Sequence, residues 1–166
     1  MLRAREVIED AQTAFELLEE QIDETMVRIH WFLCICLCRT ALDALNKVDR
    51  KHSENTDAAI SEQWKNIKDH PTENEIFFHF IKAERDLMIH QYEVSADSYE
   101  APLLAFDEDG SIAQVANEIG LEGDFDWFIL QTGKYAGEDA RDILKEALSW
   151  VDSRVTEIEK SLLEGV

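Results

Sequence analysis

The chain has 166 residues, a length that suits one domain with a single hydrophobic core. It carries 36 acidic and 16 basic residues, and the resulting formal charge of −20 opposes non-specific binding to nucleic acids and to anionic membranes. No run of basic residues is visible, so the composition favours a soluble protein whose partner, if it has one, is basic.

The first 70 residues contain neither glycine nor proline and predict two long helices. Because one helix of that length would be too long for a compact domain, we place a tight turn near Asp23 to Thr25 and end the second helix at about Lys51. In each helix, apolar residues at spacings of three and four predict the buried face. They are Ile8, Ala11, Phe15, Leu18 and Ile22 in the first helix, and Ile29, Leu33, Cys36, Leu37 and Leu45 in the second.

The amino terminus lacks the pattern of a signal peptide, because it turns acidic soon after its two arginines. The expected location is therefore the cytoplasm. The most apolar run, Trp31 to Cys38, has eight residues, whereas a helix that crosses a bilayer needs about 20. This run predicts a buried helix segment, and we expect no membrane partner.

Two groups of residues resemble metal ligands only superficially. Cys34 and Cys38 share a helix face while Cys36 points elsewhere, and no second cluster completes a tetrahedral zinc site. An odd number of cysteines also argues against disulfides, so we predict that the three are small core residues. The acidic run Asp107 to Asp109 lacks the ligand spacing of a calcium-binding loop and predicts a solvated turn. We expect no metal site and no cofactor.

Two further helices follow along the chain. Asp57 ends a polar loop and is a candidate N-cap for a short helix from Ala58 to about Asp69, which His70-Pro71 stops. The next helix is predicted from Thr72 to Glu93, because Thr72 and Glu75 have the spacing of a capping box. Its apolar stripe consists of Ile76, Phe77, Phe80, Ile81, Leu87 and Met88.

The other face of this helix carries titratable side chains. On a wheel at 100° per residue, His79, Asp86 and His90 fall on one line, with Arg85 beside Asp86. The Asp86 carboxylate is expected to accept a hydrogen bond from the imidazole four residues later and to favour its protonated form. Arg85 supplies a cationic fork that suits a phosphate. An acid–base group beside an anion clamp could cleave a phosphodiester by 2′-hydroxyl attack without a metal.

The segment Arg85-Asp-Leu-Met-Ile-His90-Gln-Tyr92 reads R-x4-H-x-Y and resembles the signature of the HEPN superfamily, in particular its bacterial toxin branch. The resemblance implies a helical bundle that dimerises and, in many members, a metal-independent endoribonuclease. It assigns the phosphate contact to Arg85 and acid–base catalysis to His90, at a cleft between two protomers. It also makes Tyr92 a candidate for nucleotidylation by a partner antitoxin. The family commonly has Asn where this chain has Asp86, which we assign, with His79, a supporting role.

After Glu93 the apolar period changes from that of helices to that of strands. Tyr99 to Phe106 and Ser111 to Ala116 predict two strands joined by a turn at Gly110. Asp126 to Gln131 predicts either a third strand or an apolar flap. The insert, about residues 97–133, must lie on the helices or on a second protomer, because an isolated hairpin is marginally stable. The last helix is expected from Glu138-Asp139 to about Leu163.

These elements predict one domain over residues 1–166, an all-α, up-down bundle of the HEPN type. It would have four long helices, a short one and a small β-hairpin insert before the last helix. The leading hypothesis is a homodimeric, metal-independent endoribonuclease that acts on RNA and is a toxin of a toxin–antitoxin pair. The alternative is a catalytically silent HEPN-like module whose acidic surface binds a protein or a nucleotide. In a purely structural bundle, Arg85 and His90 would both face solvent unpaired.

Overall fold

The computed structural model describes residues 1–21, 23–101, 104–106, 112–115 and 125–164, with side chains described for residues 1–21, 23–97 and 128–163. The described chain is mostly helical, as predicted. A 3-10 turn, Asp49–Lys51, follows the second helix, and a π-helical turn, Phe77–Ile81, leads into the fourth. The five helices of the described chain are Arg3–Glu19 (α1), Glu24–Lys47 (α2), Glu54–Asp69 (α3), Lys82–Gln91 (α4) and Ala140–Glu164 (α5).

The starts of α2 and α3 are set by the polar side chain that reaches their free N–H groups. At α2 the predicted turn is confirmed, since Asp23 accepts a hydrogen bond from the Met26 N–H at 2.9 Å. At α3 the predicted cap is wrong. The Ser53 hydroxyl accepts from the Thr56 N–H at 3.1 Å, so the helix begins at Glu54 rather than Ala58. Asp57 is engaged elsewhere, in an ion pair with Arg50.

The entry to α4 differs from the predicted capping box. The Glu75 carboxylate forms an ion pair with Lys134. The buried Asn74 organises the turn instead: its amide donates to the His70 carbonyl at 2.8 Å and accepts from the Trp150 indole at 3.3 Å. The π-helical turn follows directly, and α4 ends at Gln91 rather than Glu93. The capping box is absent at least in part because the Glu75 carboxylate, which the local pattern would have used, pairs with Lys134 instead.

The amino terminus of α1 is capped from a distant part of the chain. Leu2 occupies the N-cap position and contributes no side-chain hydrogen bond. The fully buried Asp49, in the 3-10 turn after α2, accepts the N–H of Arg3 at 2.7 Å and of Ala4 at 3.0 Å. Its carboxylate thus satisfies two of the free donors at the positive end of α1.

The hydrophobic core confirms the face predicted for α1 and corrects the face predicted for α2. In α1 the described members of the stripe are buried, while Ile22 lies outside the described residues. In α2, Ile29 and Leu33 are 45% and 42% exposed. The buried face consists of Val27, Trp31, Cys34, Ile35, Cys38, Ala41, Leu42, Ala44 and Leu45. Because α2 is apolar on nearly all sides, residue spacing alone could not identify the side that packs.

The stretch Glu24–Lys51 is long and apolar enough, by length and composition, to cross a membrane. Here its Trp31, Cys34 and Cys38 side chains are fully buried in the core, as in a core helix of a folded domain. Burial raises the pKa of Cys34 to about 12, which fits the predicted role of the thiol as a small core group. Within the described ranges, no cluster of three or more His, Cys, Asp or Glu residues could hold a metal ion.

The described residues of the insert form two pairs of antiparallel strands, one nested within the other along the chain. The outer pair joins Ala96–Ala101 (β1) to Phe125–Leu130 (β4), and the inner pair joins Leu104–Phe106 (β2) to Ile112–Val115 (β3). The segment predicted as one strand from Tyr99 to Phe106 is therefore split between the two pairs, and the segment 126–131 is a strand rather than a flap.

The outer pair packs on the helices, which is one of the two placements predicted for the insert. The Phe128 ring meets Trp31 edge-to-face, with centroids 5.2 Å apart, and Leu130 is buried. The predicted turn at Gly110 and the acidic run Asp107 to Asp109 lie outside the described residues.

Candidate functional site

The R-x4-H-x-Y motif occupies the last two turns of α4 and its C-cap. Tyr92 takes the left-handed conformation at φ 55°, and its N–H donates to the Met88 carbonyl at 3.1 Å, which ends the helix. His90 is exposed, Tyr92 is 64% exposed, and Arg85 is half-buried. His90 and Tyr92 are therefore accessible at the carboxyl end of α4, whereas Arg85 is partly accessible nearer the middle of the helix.

The acidic neighbour of the motif pairs with Arg85 rather than with His90. Arg85 Nη1 donates to Asp86 Oδ1 at 2.8 Å. This hydrogen bond is the main cause that lowers the pKa of Asp86, with the charges of Arg85, Lys82 and His90 adding to it. The prediction of a hydrogen bond between Asp86 and His90 is wrong, because the described residues show none. The neighbouring Arg85 guanidinium binds the Asp86 carboxylate instead.

Arg85 and His90 do not converge within one chain. Arg85 lies toward α2, where its charge lowers the pKa of the half-buried Cys36 thiol against the larger effect of burial. His90 is exposed on the outer side of α4. The five-residue spacing places the two side chains roughly 140° apart around an ideal helix.

His79 does not share the line of Asp86 and His90. The π-helical turn Phe77–Ile81 contains His79 and holds more residues than an α-turn, so the ideal wheel loses its phase there. His79 is exposed and lines a cavity of about 210 Å³ with Thr132, Gly133 and Tyr135. Among the described residues, no contact between His79 and His90 supports the predicted role of His79.

Tyr92 faces a second arginine. The Arg28 guanidinium lies 5.9 Å from the centre of the Tyr92 ring, in cation–π contact. Arg28 is half-buried, and its Nε atom has no hydrogen-bond partner among the described residues. It also lines a cavity of about 460 Å³ whose wall includes Asp97 and Phe128. The phenol group that the resemblance marks for modification therefore stands beside a cation.

A buried carboxyl group next to Arg85 was missed by the sequence analysis. Glu84 is 5% exposed, accepts a hydrogen bond from the Ser95 hydroxyl and has no partner for its Oε2 atom in the described structure. Burial raises the pKa of Glu84, against the opposing effect of the Ser95 hydrogen bond. The signal was present in the sequence, since Glu84 lies four residues from both Phe80 and Met88, in the middle of the apolar stripe.

Replacing Glu84 by glutamine is expected to stabilise the protein at pH 7 but not at pH 4. A carboxyl group whose pKa is raised by folding contributes stability below its unfolded pKa and loses that contribution as the pH rises through the folded pKa. The amide cannot ionise, so the variant should gain about 1 kcal/mol in the free energy of unfolding at pH 7. Urea denaturation of the variant and the parent at both pH values measures this difference in the free energy of unfolding.

The matched control for this experiment is Glu93→Gln, an exposed change of the same chemistry, which should alter the free energy of unfolding by less than about 0.5 kcal/mol at either pH. A Glu84→Gln effect equal at pH 4 and pH 7 would show that ionisation of the buried carboxyl plays no part.

The fold also gathers basic residues that are far apart in sequence. A cleft between α2, α3 and α4 is lined by five Lys and Arg side chains, although the chain as a whole is strongly acidic. The absence of a basic run in the sequence therefore did not exclude a basic surface. Comparison of the chain with protein-family models, curated proteins and solved structures found no match.

Proposed function

We propose that the protein is a metal-independent endoribonuclease of the HEPN type, acting as a homodimer and serving as a toxin of a toxin–antitoxin pair. The observation that carries the proposal is the placement of a half-buried Arg85 and an exposed His90 and Tyr92 on α4 and its C-cap, in the spacing of the HEPN motif. The proposal includes a second copy because the five-residue spacing separates Arg85 and His90 around one ideal helix. The up-down arrangement of the bundle belongs to the same proposal.

An exposed apolar stripe beside the motif supports the homodimer. Met26, Ile29 and Leu33 recur at spacings of three and four on one side of α2, and each is at least 40% exposed. Ile89, on the accessible part of α4, is 47% exposed. Two copies that bury these side chains across a two-fold axis would bring two α4 helices close together. The motif residues of both copies would then line one cleft.

In this cleft the reaction needs one proton removed and one proton donated. A neutral His90 takes the proton of the RNA 2′-hydroxyl as its oxygen bonds to phosphorus. The bond from phosphorus to the 5′ oxygen breaks, and the protonated His90 of the other copy gives its proton to that oxygen. The products are a 2′,3′-cyclic phosphate and a 5′-hydroxyl. Arg85 stabilises the charge on the phosphoryl oxygens after exchanging the Asp86 carboxylate for the phosphate.

The test is incubation of the purified protein with total RNA in excess EDTA, with the new ends mapped. The parent is expected to be a dimer by light scattering and to leave 2′,3′-cyclic phosphate ends. Leu33→Asp, which places a charge in the exposed stripe, should be monomeric and lose cleavage. The matched control is Val48→Asp, at a residue 46% exposed just beyond the other end of α2, which should keep both properties. Cleavage by a monomeric Leu33→Asp protein would contradict the dimer cleft.

A second candidate is supported by the ion pair between Arg85 and Asp86. A carboxylate at 2.8 Å occupies the group that would bind phosphate, which is the arrangement expected of a catalytically silent HEPN-like module that binds a protein or a nucleotide. A folded, dimeric parent that cleaves no RNA would favour this module over the nuclease.

A further inference from the structure

The cleft between α2, α3 and α4 concentrates positive charge in a chain of formal charge −20. Its volume is about 640 Å³, and Asp69 is its one carboxylate among the described lining residues. The cations come from four separate elements of the fold. They are Arg39 of α2, Arg50 of the 3-10 turn, Lys65 and Lys68 of α3, and Lys82 of α4.

Three of these cations are available to a ligand. Arg39 pairs with Asp43 at 3.2 Å, and Arg50 is held by Asp57. By contrast, Lys65, Lys68 and Lys82 are exposed and form no direct ion pair with any residue that the structure describes, although the charge of Lys82 also acts on Asp86. Unpaired ammonium groups spread along a cleft are suited to a chain of phosphates, because each can contact a different one.

Aromatic side chains form part of the same wall. Trp64 and Phe78 are half-buried and line the same cleft as the lysines. The ring of Trp64 meets that of Phe77 edge-to-face at 5.8 Å, so its position is fixed by packing. A groove that combines cations with accessible aromatic rings is typical of proteins that bind single-stranded nucleic acids, in which unpaired bases stack on the rings.

The cleft leads toward the motif. Lys82 precedes Arg85 by three residues and lies on the neighbouring turn of the same side of α4. On α2, Arg39 follows by three residues Cys36, whose thiol pKa responds to the charge of Arg85. A strand held by Lys65, Lys68 and Lys82 would therefore continue past Arg85.

We propose that this basic cleft binds single-stranded RNA, with backbone phosphates on Lys65, Lys68 and Lys82 and with bases against Trp64 and Phe78. A duplex would gain nothing from the aromatic side chains, and a single nucleotide would engage only part of the spread of charge. The binding does not depend on catalysis. Only the delivery of the strand to His90 rests on the proposed nuclease function.

The test measures binding of a labelled, short 2′-O-methyl oligouridylate by fluorescence anisotropy over a range of salt concentrations. Blocking the 2′ oxygen prevents cleavage, so the parent protein can be used. Lys65→Glu/Lys68→Glu is expected to weaken binding at least ~10-fold and to reduce the slope of log K against log salt by about 1.4, the value for two lost contacts to a single strand. Circular dichroism confirms that the variant is folded.

The control is Lys145→Glu/Lys160→Glu, which makes the same change in net charge at two exposed lysines of α5. This variant should bind within a few-fold of the parent. Equal loss in both double variants, or no binding by the parent, would overturn the proposal. Equally tight binding of a duplex or of uridine monophosphate would overturn it as well. Binding that needs Lys65 and Lys68 in a protein that cleaves no RNA would keep the cleft and reject the nuclease.

Discussion

Replacing His90 by alanine is expected to lower RNA cleavage at least ~100-fold, the usual contribution of a general acid–base group, and to leave the fold unchanged. His90 is exposed and contributes nothing to the core, so its removal takes away the proton carrier without opening a cavity. The measurement is the rate of RNA cleavage in excess EDTA, together with the unfolding transition of the variant.

The control for this variant is His52→Ala, an exposed histidine that follows the 3-10 turn and lies outside the motif. It should cleave at the parental rate. Arg85→Ala should be as inactive as His90→Ala, because the phosphate loses its cationic partner. A His90→Ala protein that cleaves RNA within a few-fold of the parental rate would rule out His90 as the general acid–base group.

Replacing Asp49 by alanine is expected to reduce the free energy of unfolding by about 2–4 kcal/mol, because it leaves two backbone donors of a buried helix end unsatisfied. No side chain at Leu2 could take over the cap. Urea denaturation followed by circular dichroism at 222 nm (the usual helix signal) measures the change. Asp49→Asn, which keeps one acceptor oxygen, should be intermediate.

Asp43→Ala is the matched control, since Asp43 lies on α2 and makes partly exposed ion pairs with Arg39 and Lys47. Its loss should change the free energy of unfolding by less than about 1 kcal/mol. If Asp49→Ala were no more harmful than Asp43→Ala, the long-range cap would have no role in stability.

The order of the helices could be predicted because local rules set it. Apolar spacing placed each helix, and Asp23 and Pro71 marked real interruptions. The details that failed depend on contacts between distant residues. Glu75 pairs with Lys134 instead of closing a capping box, and the nested strand pairs join segments that local alternation cannot match.

The positions of the candidate residues, rather than their roles, could be predicted in part for the same reason. The sequence predicted Arg85, His90 and Tyr92 as candidates, and the structure leaves His90 and Tyr92 exposed and Arg85 half-buried. The sequence pattern could not predict the position of His79, because a π-helical turn shifts the phase of the helix at that residue. The basic cleft was missed because Arg39 and Lys82 meet only after folding, so no window of sequence contains the cluster.

The long-range cap on α1 also constrains the order in which the chain can fold. The ribosome releases α1 first, yet the carboxylate that caps it comes 46 residues after Arg3, beyond the end of α2. Until Asp49 has emerged, the nascent α1 has free N–H donors at its start. The start of α1 can therefore be capped only after α2 and the 3-10 turn have been synthesised.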